Sequence, residues 1–376
     1  MIFQSVSLIL FLCYVILILA ITVGWYRLKA FKSNHLLPEI KVSVVIAARN
    51  EAMNIEALLT SLCRQDYPRH LYEIILVDDH STDETSQIAE AFISIQKDST
   101  NLKLITLSGD EGFGKKAALT QGIQASDGEI IVITDADCTA GISWISTLAA
   151  YYKTYKPQMI LGPVKMNHGS TLFGKLQTME FMSLISSAAG SCKAGFPILA
   201  NGANMAFTRL AYESCGGFSG NMQFPSGDDM FLMMNIKKKF GVGAIHFLKS
   251  AEAVVSTPAA QGLKPFIQQR LRWVSKSKGY TDPVLIVSSL IVFFTNGLLV
   301  FTGLMAIAAH GFLTLFLSLF FIKLAVDFPL MLSFSRFQRS GSLFWLFPLM
   351  EIVNAVYTLI IGMAGNIGKY EWKGRK

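Results

Sequence analysis

No G-x-G-x-x-G turn follows the first β-branched run of this 376-residue sequence, and no G-x-x-x-x-G-K-[ST] loop occurs in it. Those glycine-rich loops cradle the phosphates of dinucleotides and nucleoside triphosphates. Without them, a dinucleotide-dependent oxidoreductase or a P-loop NTPase loses its main support. Cysteine is scarce: Cys13, Cys63, Cys138, Cys192 and Cys215 show no metal-binding pair spacing, and the six histidines form no cluster. Neither a zinc site nor a disulfide framework is expected. Charged residues make up only 16% of the chain against 52% hydrophobic. The balance is basic, +7, but no aromatic–basic RNA-binding motif accompanies it. Nucleic acid is therefore not an expected partner. Basic residues flanking apolar segments explain much of the excess, and a polyanionic substrate is also compatible with it.

What the chain does have is long apolar runs, unevenly placed. Residues 6–26 carry no charge and are long enough to cross a bilayer as a helix. The run lacks a preceding basic region and a small-x-small cleavage site, so residues 1–30 are expected to be a retained anchor rather than a signal peptide. Arg27, Lys29 and Lys32 follow at once, which places residues 27–282 on the cytoplasmic side. A second apolar block, 283–366, divides into about 283–305, 311–333 and 343–364, broken at Ala309-His310-Gly311 and at the basic loop Arg336 to Arg339. Three full crossings would put the tail 367–376 outside, whereas Lys369, Lys373, Arg375 and Lys376 argue that it stays inside. The last segment, with Pro348, Glu351 and Asn354, is the candidate for a re-entrant or interfacial path. Asp327 and Glu351 are expected to face protein rather than lipid. The expectation is a multi-pass integral membrane protein whose soluble domain spans 38–280.

From residue 41 onward strand and helix signals alternate. KVSVVIA (41–47), EIILVDD (73–79), LKLITL (102–107) and EIIVITD (129–135) are short apolar or β-branched runs. Between them, NEAMNIEALLTSLC and a segment from about 115 have helical spacing, and Ser81-Thr82-Asp83-Glu84 offers helix-starting caps. Such alternation implies an α/β fold with a mostly parallel sheet covered by helices on both faces. Ligands in such sheets sit beyond the carboxyl ends of the strands. Asn50-Glu51, Asp78-Asp79 and the pair Asp135 and Asp137 each follow a strand.

Asp135-Ala136-Asp137 sets two like charges on one side of an extended segment, which folding alone does not ask for. A divalent cation such as Mg²⁺ or Mn²⁺, held by one or two carboxylates and by substrate phosphates, would explain them. A solvated loop that contains two aspartates is the alternative. GFGKKAAL (112–119) puts Lys115 at a helix start, where it either binds phosphate or is solvated. FPSGDDMFL places Asp228 and Asp229 before an apolar helical run, as a helix cap or as a general base beside a second carboxylate. QQRLRW sets Gln269, Arg272 and Trp273 on one helical face, which suits an interfacial amphipathic helix or part of a site.

Taken in order, VDDHSTD, DAD, GDD and QRLRW resemble the family-two glycosyltransferases of GT-A fold, including the membrane-embedded branch marked by a Q-x-x-R-W motif. IAARNE (46–51) is similar to that family's first strand end and GKKAAL to its segment before the D-x-D. GANMAF (202–207), GGF (216–218) and VVSTP (254–258) fall in the expected places. The resemblance spans about residues 41 to 273. It departs at Ala47, often Pro, and at His80, usually Gly; neither change removes a catalytic group. The tail WKGR is similar to an ending of ceramide glucosyltransferases and carotenoid glycosyltransferases.

The resemblance implies that Glu51, Asp78, Asp79, Lys115 and Asp135 bind a nucleotide sugar, most often a UDP-sugar. Glu51 and Asp79 would lie at the base and ribose. It implies Mg²⁺ or Mn²⁺ on Asp137 and Asp135, and an inverting displacement in which Asp229, next to Asp228, takes the acceptor proton while Arg272 adds positive charge. Gly202, Asn204, Gln269 and Trp273 would border the acceptor. The few carboxy-terminal helices favour a lipid or lipid-linked acceptor over processive synthesis of a polysaccharide. A non-catalytic nucleotide-sugar-binding membrane subunit is the reading from another class.

Overall fold

The computed structural model describes residues 2–33, 39–96, 101–108, 112–222, 224 and 226–367. The basic tail from Lys369 onward lies outside the described residues. In chain order the elements are α1 (Ile2–Arg27), β1 (Val42–Ala48), α2 (Ile55–Cys63), β2 (Tyr72–Asp78), α3 (Thr85–Gln96), β3 (Leu102–Thr106), α4 (Lys115–Gln124) and β4 (Ile130–Ile133). There follow β5 (Thr139–Ala140), α5 (Trp144–Tyr155), β6 (Met159–Leu161), β7 (Val164–Asn167), α6 (Leu172–Lys193), β8 (Met205–Thr208), α7 (Arg209–Ser214) and α8 (Asp228–Phe240). The last are β9 (Ile245–Phe247), β10 (Val255–Pro258), α9 (Leu263–Ser275), α10 (Pro283–Ala308), α11 (Leu313–Phe337) and α12 (Phe347–Ile367).

The chain forms two compact units. One, the sheet unit, comprises Lys29–Asn167 and Leu199–Pro258; the other, the helical unit, comprises Met1–Leu28, His168–Ile198 and Ala259–Lys376. Residues 168–198 and 259–280, expected within a soluble domain 38–280, therefore pack with the apolar helices. The reason is side-chain chemistry that a boundary drawn by hydropathy does not register: α6 is lined with small residues, and α9 carries a buried arginine.

In the sheet unit, seven strands run in the order β3-β2-β1-β4-β8-β6-β9, and β5-β10-β7 form a second, three-stranded sheet. Pairing is parallel from β3 through β4 and between β6 and β9, while β8 is antiparallel to both its neighbours. The expected mixed α/β fold with a mostly parallel sheet is thus present. Both faces of β1 and β2 are covered, which is why these strands read as near-continuous apolar runs. Glu73, a buried acid within β2, is engaged on both oxygens: it accepts from Ser43 Oγ (2.7 Å), the Asp127 N–H (2.8 Å) and Lys103 Nζ (2.9 Å).

In the helical unit, four helices among the described residues are long and apolar enough to cross a membrane: Ser5–Arg27, Pro283–Ala308, His310–Phe337 and Gly341–Gly365. α1 packs on α6 through two glycines. A Cβ on Gly24 would lie 2.0 Å from the Gly190 carbonyl oxygen, and one on Gly190 would lie 2.2 Å from that of Ile21. Backbones this close are the packing mode that replaces hydrophobic attraction in lipid. Asp327 and Glu351 are buried, as expected, and both pair with the buried Lys323. Lys323 Nζ lies 2.8 Å from Asp327, and the Tyr14 hydroxyl donates to the same carboxylate at 2.7 Å. The cluster ties α1, α11 and α12 together, with each charge facing protein.

Candidate active site

The sheet order decides where the site lies. The chain steps outward from β1 to β2 to β3, then returns to place β4 on the other side of β1. The segments leaving β1 and β4 diverge there, the topological switch point at which α/β sheets open a crevice. Registers Ala48↔Asp78 and Val45↔Ile133 bring the carboxyl ends of β1, β2 and β4 to one edge.

The loops after β1 and β2 brace each other. Asn50, at φ +51°, accepts the Thr82 N–H on its side-chain oxygen (2.8 Å) and donates its own N–H to Ser81 Oγ (3.0 Å). Arg49 Nη1 donates to the carbonyls of Asp79 (2.8 Å) and His80 (2.9 Å). Glu51 gives its N–H to Thr85 Oγ1 at 2.7 Å and accepts from Asn54 Nδ2 at 2.7 Å. Asp79 receives the Gly114 N–H at 3.1 Å on both oxygens. That N–H comes from the residue capping α4, where Gly114 adopts φ +94°, a left-handed conformation that glycine takes without strain. Asp78, expected among the ligand-binding residues, is instead occupied by its own loop. One of its oxygens accepts from Ser81 Oγ and the other from Ser86 Oγ at 2.6 Å, and the residue is buried. Its carboxylate organises the start of α3.

Lys115, first residue of α4, joins two motifs far apart in sequence. Its Nζ lies 2.6 Å from Asp135 Oδ1, beyond β4, and 3.2 Å from Asp228 Oδ2, at the start of α8; the second contact is an ion pair outside hydrogen-bond geometry. Burial alone would lower the pKa of this ammonium group, but the carboxylates of Asp135 and Asp228 outweigh it and raise the pKa above the ordinary lysine value. Gly202 is what admits the pair: a Cβ there would stand 3.1 Å from both Lys115 Nζ and Asp228 Oδ2. Asp229, next along α8, is half-buried. Acidic residues suit this first helical turn, whose free N–H groups favour negative charge.

The D-x-D carboxylates form the group of the described residues most suited to a metal. Ligand atoms of Asp135, Asp137 and Cys138 lie within 4.8 Å of one another. Burial, then the charges of Asp137 and Asp135, push the Cys138 thiol well above its ordinary pKa, so it stays protonated and is a poor ligand. Two carboxylate oxygens with open positions beyond them fit Mg²⁺ or Mn²⁺, which keep water or phosphate in the remaining sites.

Asn204, expected at the acceptor, is a correction. It is 1% exposed and wholly committed: its oxygen accepts from Trp144 Nε1 (3.0 Å), and its Nδ2 donates to the carbonyls of Pro163 and Ala253 (2.8 Å each). It clasps α5 to the chain following β6 and to that preceding β10. Gly162 makes room for it, since a Cβ there would fall 2.3 Å from the Asn204 amide carbon.

The Q-x-x-R-W residues belong to α9, in the helical unit. Gln269, Arg272 and Trp273 are each partly buried. The side chain that touches Gln269 and Trp273 was not legible as a motif position. Arg270, 1% exposed, donates to Gln269 Oε1 (2.6 Å), pairs with Glu180 of α6, and lies 4.1 Å from the Trp273 ring centroid and 4.7 Å from that of Phe266. An arginine three residues before an aromatic and four after another hints at such stacking, but its carboxylate lies ninety residues upstream.

Comparison with known proteins adds to this geometry. The model of glycosyl transferase family 2 matches residues 43–214, and that of glycosyl transferase family group 2 matches residues 130–361. A beta-monoglucosyldiacylglycerol synthase of Nostoc sp. is 27% identical over 235 residues, 62% of this chain and 48% of the relative. A probable glycosyltransferase, YdaM, of Bacillus subtilis is 32% identical over 186 residues, 47% of this chain and 43% of its own. The chain thus spans about half the length, or less, of the curated relatives it matches. Among solved structures, mannosyltransferase PcManGT from Pyrobaculum calidifontis, in complex with GDP-Man and Mn²⁺, aligns over 94% of this chain and 96% of its own, with a TM-score of 0.56 at 17% identity. At that identity the likeness speaks for the GT-A fold. Matched by a family model over more than half of its length, the chain belongs to glycosyl transferase family group 2.

Proposed function

We propose that this chain is an inverting, metal-dependent glycosyltransferase that moves one sugar from a nucleoside diphosphate sugar, with uridine the expected base, to a lipid or lipid-linked acceptor at the membrane. The observation that carries the reading is the Lys115 bridge, which brings the D-x-D carboxylate Asp135 and the start of α8, with Asp228 and Asp229, around one ammonium group. A site for diphosphate and a site for a proton acceptor thereby adjoin.

In this mechanism Glu51 and Asp79 orient the base and ribose, and Lys115 lies against the diphosphate. Asp135 and Asp137 would hold the divalent ion, which when bound neutralises charge on the leaving diphosphate as a Lewis acid. The acceptor oxygen attacks the anomeric carbon as the bond to the diphosphate breaks, its proton passes to an Asp229 carboxylate oxygen, and the single displacement inverts the centre. Gly202 borders the acceptor, and the roles of Gln269, Arg272 and Trp273 on α9 stay those the resemblance implies. Four membrane-length helices among the described residues and a relative named for synthesis of a glucosyldiacylglycerol support a lipid acceptor and a multi-pass protein. Arg27, Lys29 and Lys32 after the first helix favour a cytoplasmic catalytic domain.

The test is transfer by the full chain in detergent, with membrane lipid extract, Mn²⁺ or Mg²⁺, and a panel of radiolabelled nucleotide sugars. Label in the organic-extractable fraction is expected. Label confined to long polymer would favour a processive synthase, and no transfer from any donor would favour a non-catalytic subunit. For the metal assignment, Asp137→Asn is expected to weaken Mn²⁺-dependent UDP binding by roughly tenfold or more, a loss of about 1.4 kcal/mol, as read by calorimetry. Equal affinity of variant and wild type, with and without metal, would refute it.

A further inference from the structure

Lys115 sits at the wrong end of its helix. The first turn of α4 presents free N–H groups and a positive dipole end, where a cationic side chain is disfavoured. Its side chain is only 16% exposed, and Asp135 and Asp228 close on it from two other elements. The missing Cβ of Gly202 shapes the space around this pair. Asp135 is therefore claimed twice, by the ammonium group 2.6 Å away and by the D-x-D cluster it forms with Asp137. A monovalent and a divalent cation cannot share one carboxylate in a partly buried site without strong mutual repulsion.

We infer that Lys115 is the resident cation of this cluster: it occupies Asp135 and keeps divalent-metal affinity low until a nucleoside diphosphate draws the ammonium group onto its phosphates and frees Asp135 for the metal. The inference rests on the donor reading above. Asp228 is the pivot, since it keeps the ammonium paired while Asp135 is released. Metal and donor then bind as partners, and each strengthens the other by the same factor, in the range of roughly 5- to 150-fold usual for coupled sites. Neither ion nor nucleotide alone would assemble the site, which guards the chain against holding metal idly.

The experiment follows free Mn²⁺ by electron paramagnetic resonance during titration of the full chain in detergent, without nucleotide and with saturating UDP or GDP. Wild type is expected to bind Mn²⁺ roughly tenfold or more tightly with nucleotide than without. Lys115→Met is expected to bind Mn²⁺ alone roughly tenfold more tightly than wild type, with most of the nucleotide effect gone. The double variant Lys115→Met/Asp228→Asn removes one charge of each sign, guards against misfolding of the single one, and is expected to behave likewise. Equal Mn²⁺ affinity without nucleotide in wild type and both variants, with the nucleotide effect intact, overturns the role of Lys115 and leaves the donor reading standing. Mn²⁺ binding in wild type that ignores both nucleotides also overturns it. No Mn²⁺ bound by any of these proteins, with or without nucleotide, overturns the metal assignment and this inference together.

Discussion

Asp229→Asn lowers turnover by about 10²- to 10⁴-fold, the usual worth of a general base, while UDP affinity stays within about twofold of wild type. The two acidic residues that open α8 are unequal in the structure, in keeping with the proposed choice of Asp229 as the base. Asp228 is buried and paired with Lys115, so its charge is already engaged. Asp229 is half-buried, leaving part of the residue open to solvent. Asparagine is nearly isosteric and keeps an oxygen for the Met230 N–H that Asp229 accepts at 2.7 Å, so the helix start should survive. Initial rates with the identified donor, alongside calorimetric UDP binding, separate the chemical step from binding. Turnover above a tenth of wild type would place the base elsewhere. Asp228→Asn should act differently: it releases Lys115, and its effect should fall mainly on the donor KM.

The second large effect is on stability. Asn204→Ala leaves the Trp144 indole N–H and the Ala253 carbonyl without their partner in a site closed to water, while the Pro163 carbonyl keeps the Val255 N–H. An orphaned buried polar group costs about 1–3 kcal/mol, and two together, with the lost packing of the amide, should cost about 2–5 kcal/mol. For a unit of this size that is a fall of about 10 °C in the unfolding midpoint, which a thermal scan of the full chain in detergent would register. Gly162→Ala should move the midpoint the same way, because its new methyl would meet the Asn204 amide. A midpoint unchanged in both variants would mean that the clasp is not what holds α5 to the β6 and β10 connections.

Much of the fold was legible because its signals are local. Val42–Ala48 and Tyr72–Asp78 are apolar runs of strand length, and the acids that follow them fall at the carboxyl ends, where a parallel sheet exposes its loops. The break at Ala309-His310-Gly311 was readable for the same reason, and a short turn of 3₁₀ helix lies there. What escaped the sequence is long-range. Asn204 and Asp78 were expected site residues, and only the fold shows that their hydrogen bonds are satisfied inward. Lys115 was legible as a helix-start lysine, but not as the bridge between residues 20 positions and 113 positions downstream. Glu180 gave no signal that it would pair with Arg270.

The interleaving of the two units bears on how the chain is made. It passes from one unit to the other four times, at residues 28, 167, 198 and 258. α1 therefore leaves the ribosome roughly 145 residues before α6, against whose Gly190 its own Gly24 is fitted. At about 5–20 residues per second, that is a wait of about 7 to 30 seconds. Through it the glycine face of the first helix is unmatched, and β4 waits for β8 to be synthesised beyond α6. No single cut yields one unit free of the other: the sheet unit is complete only at residue 258, after two parts of the helical unit have been made, and the helical unit only with its last helices.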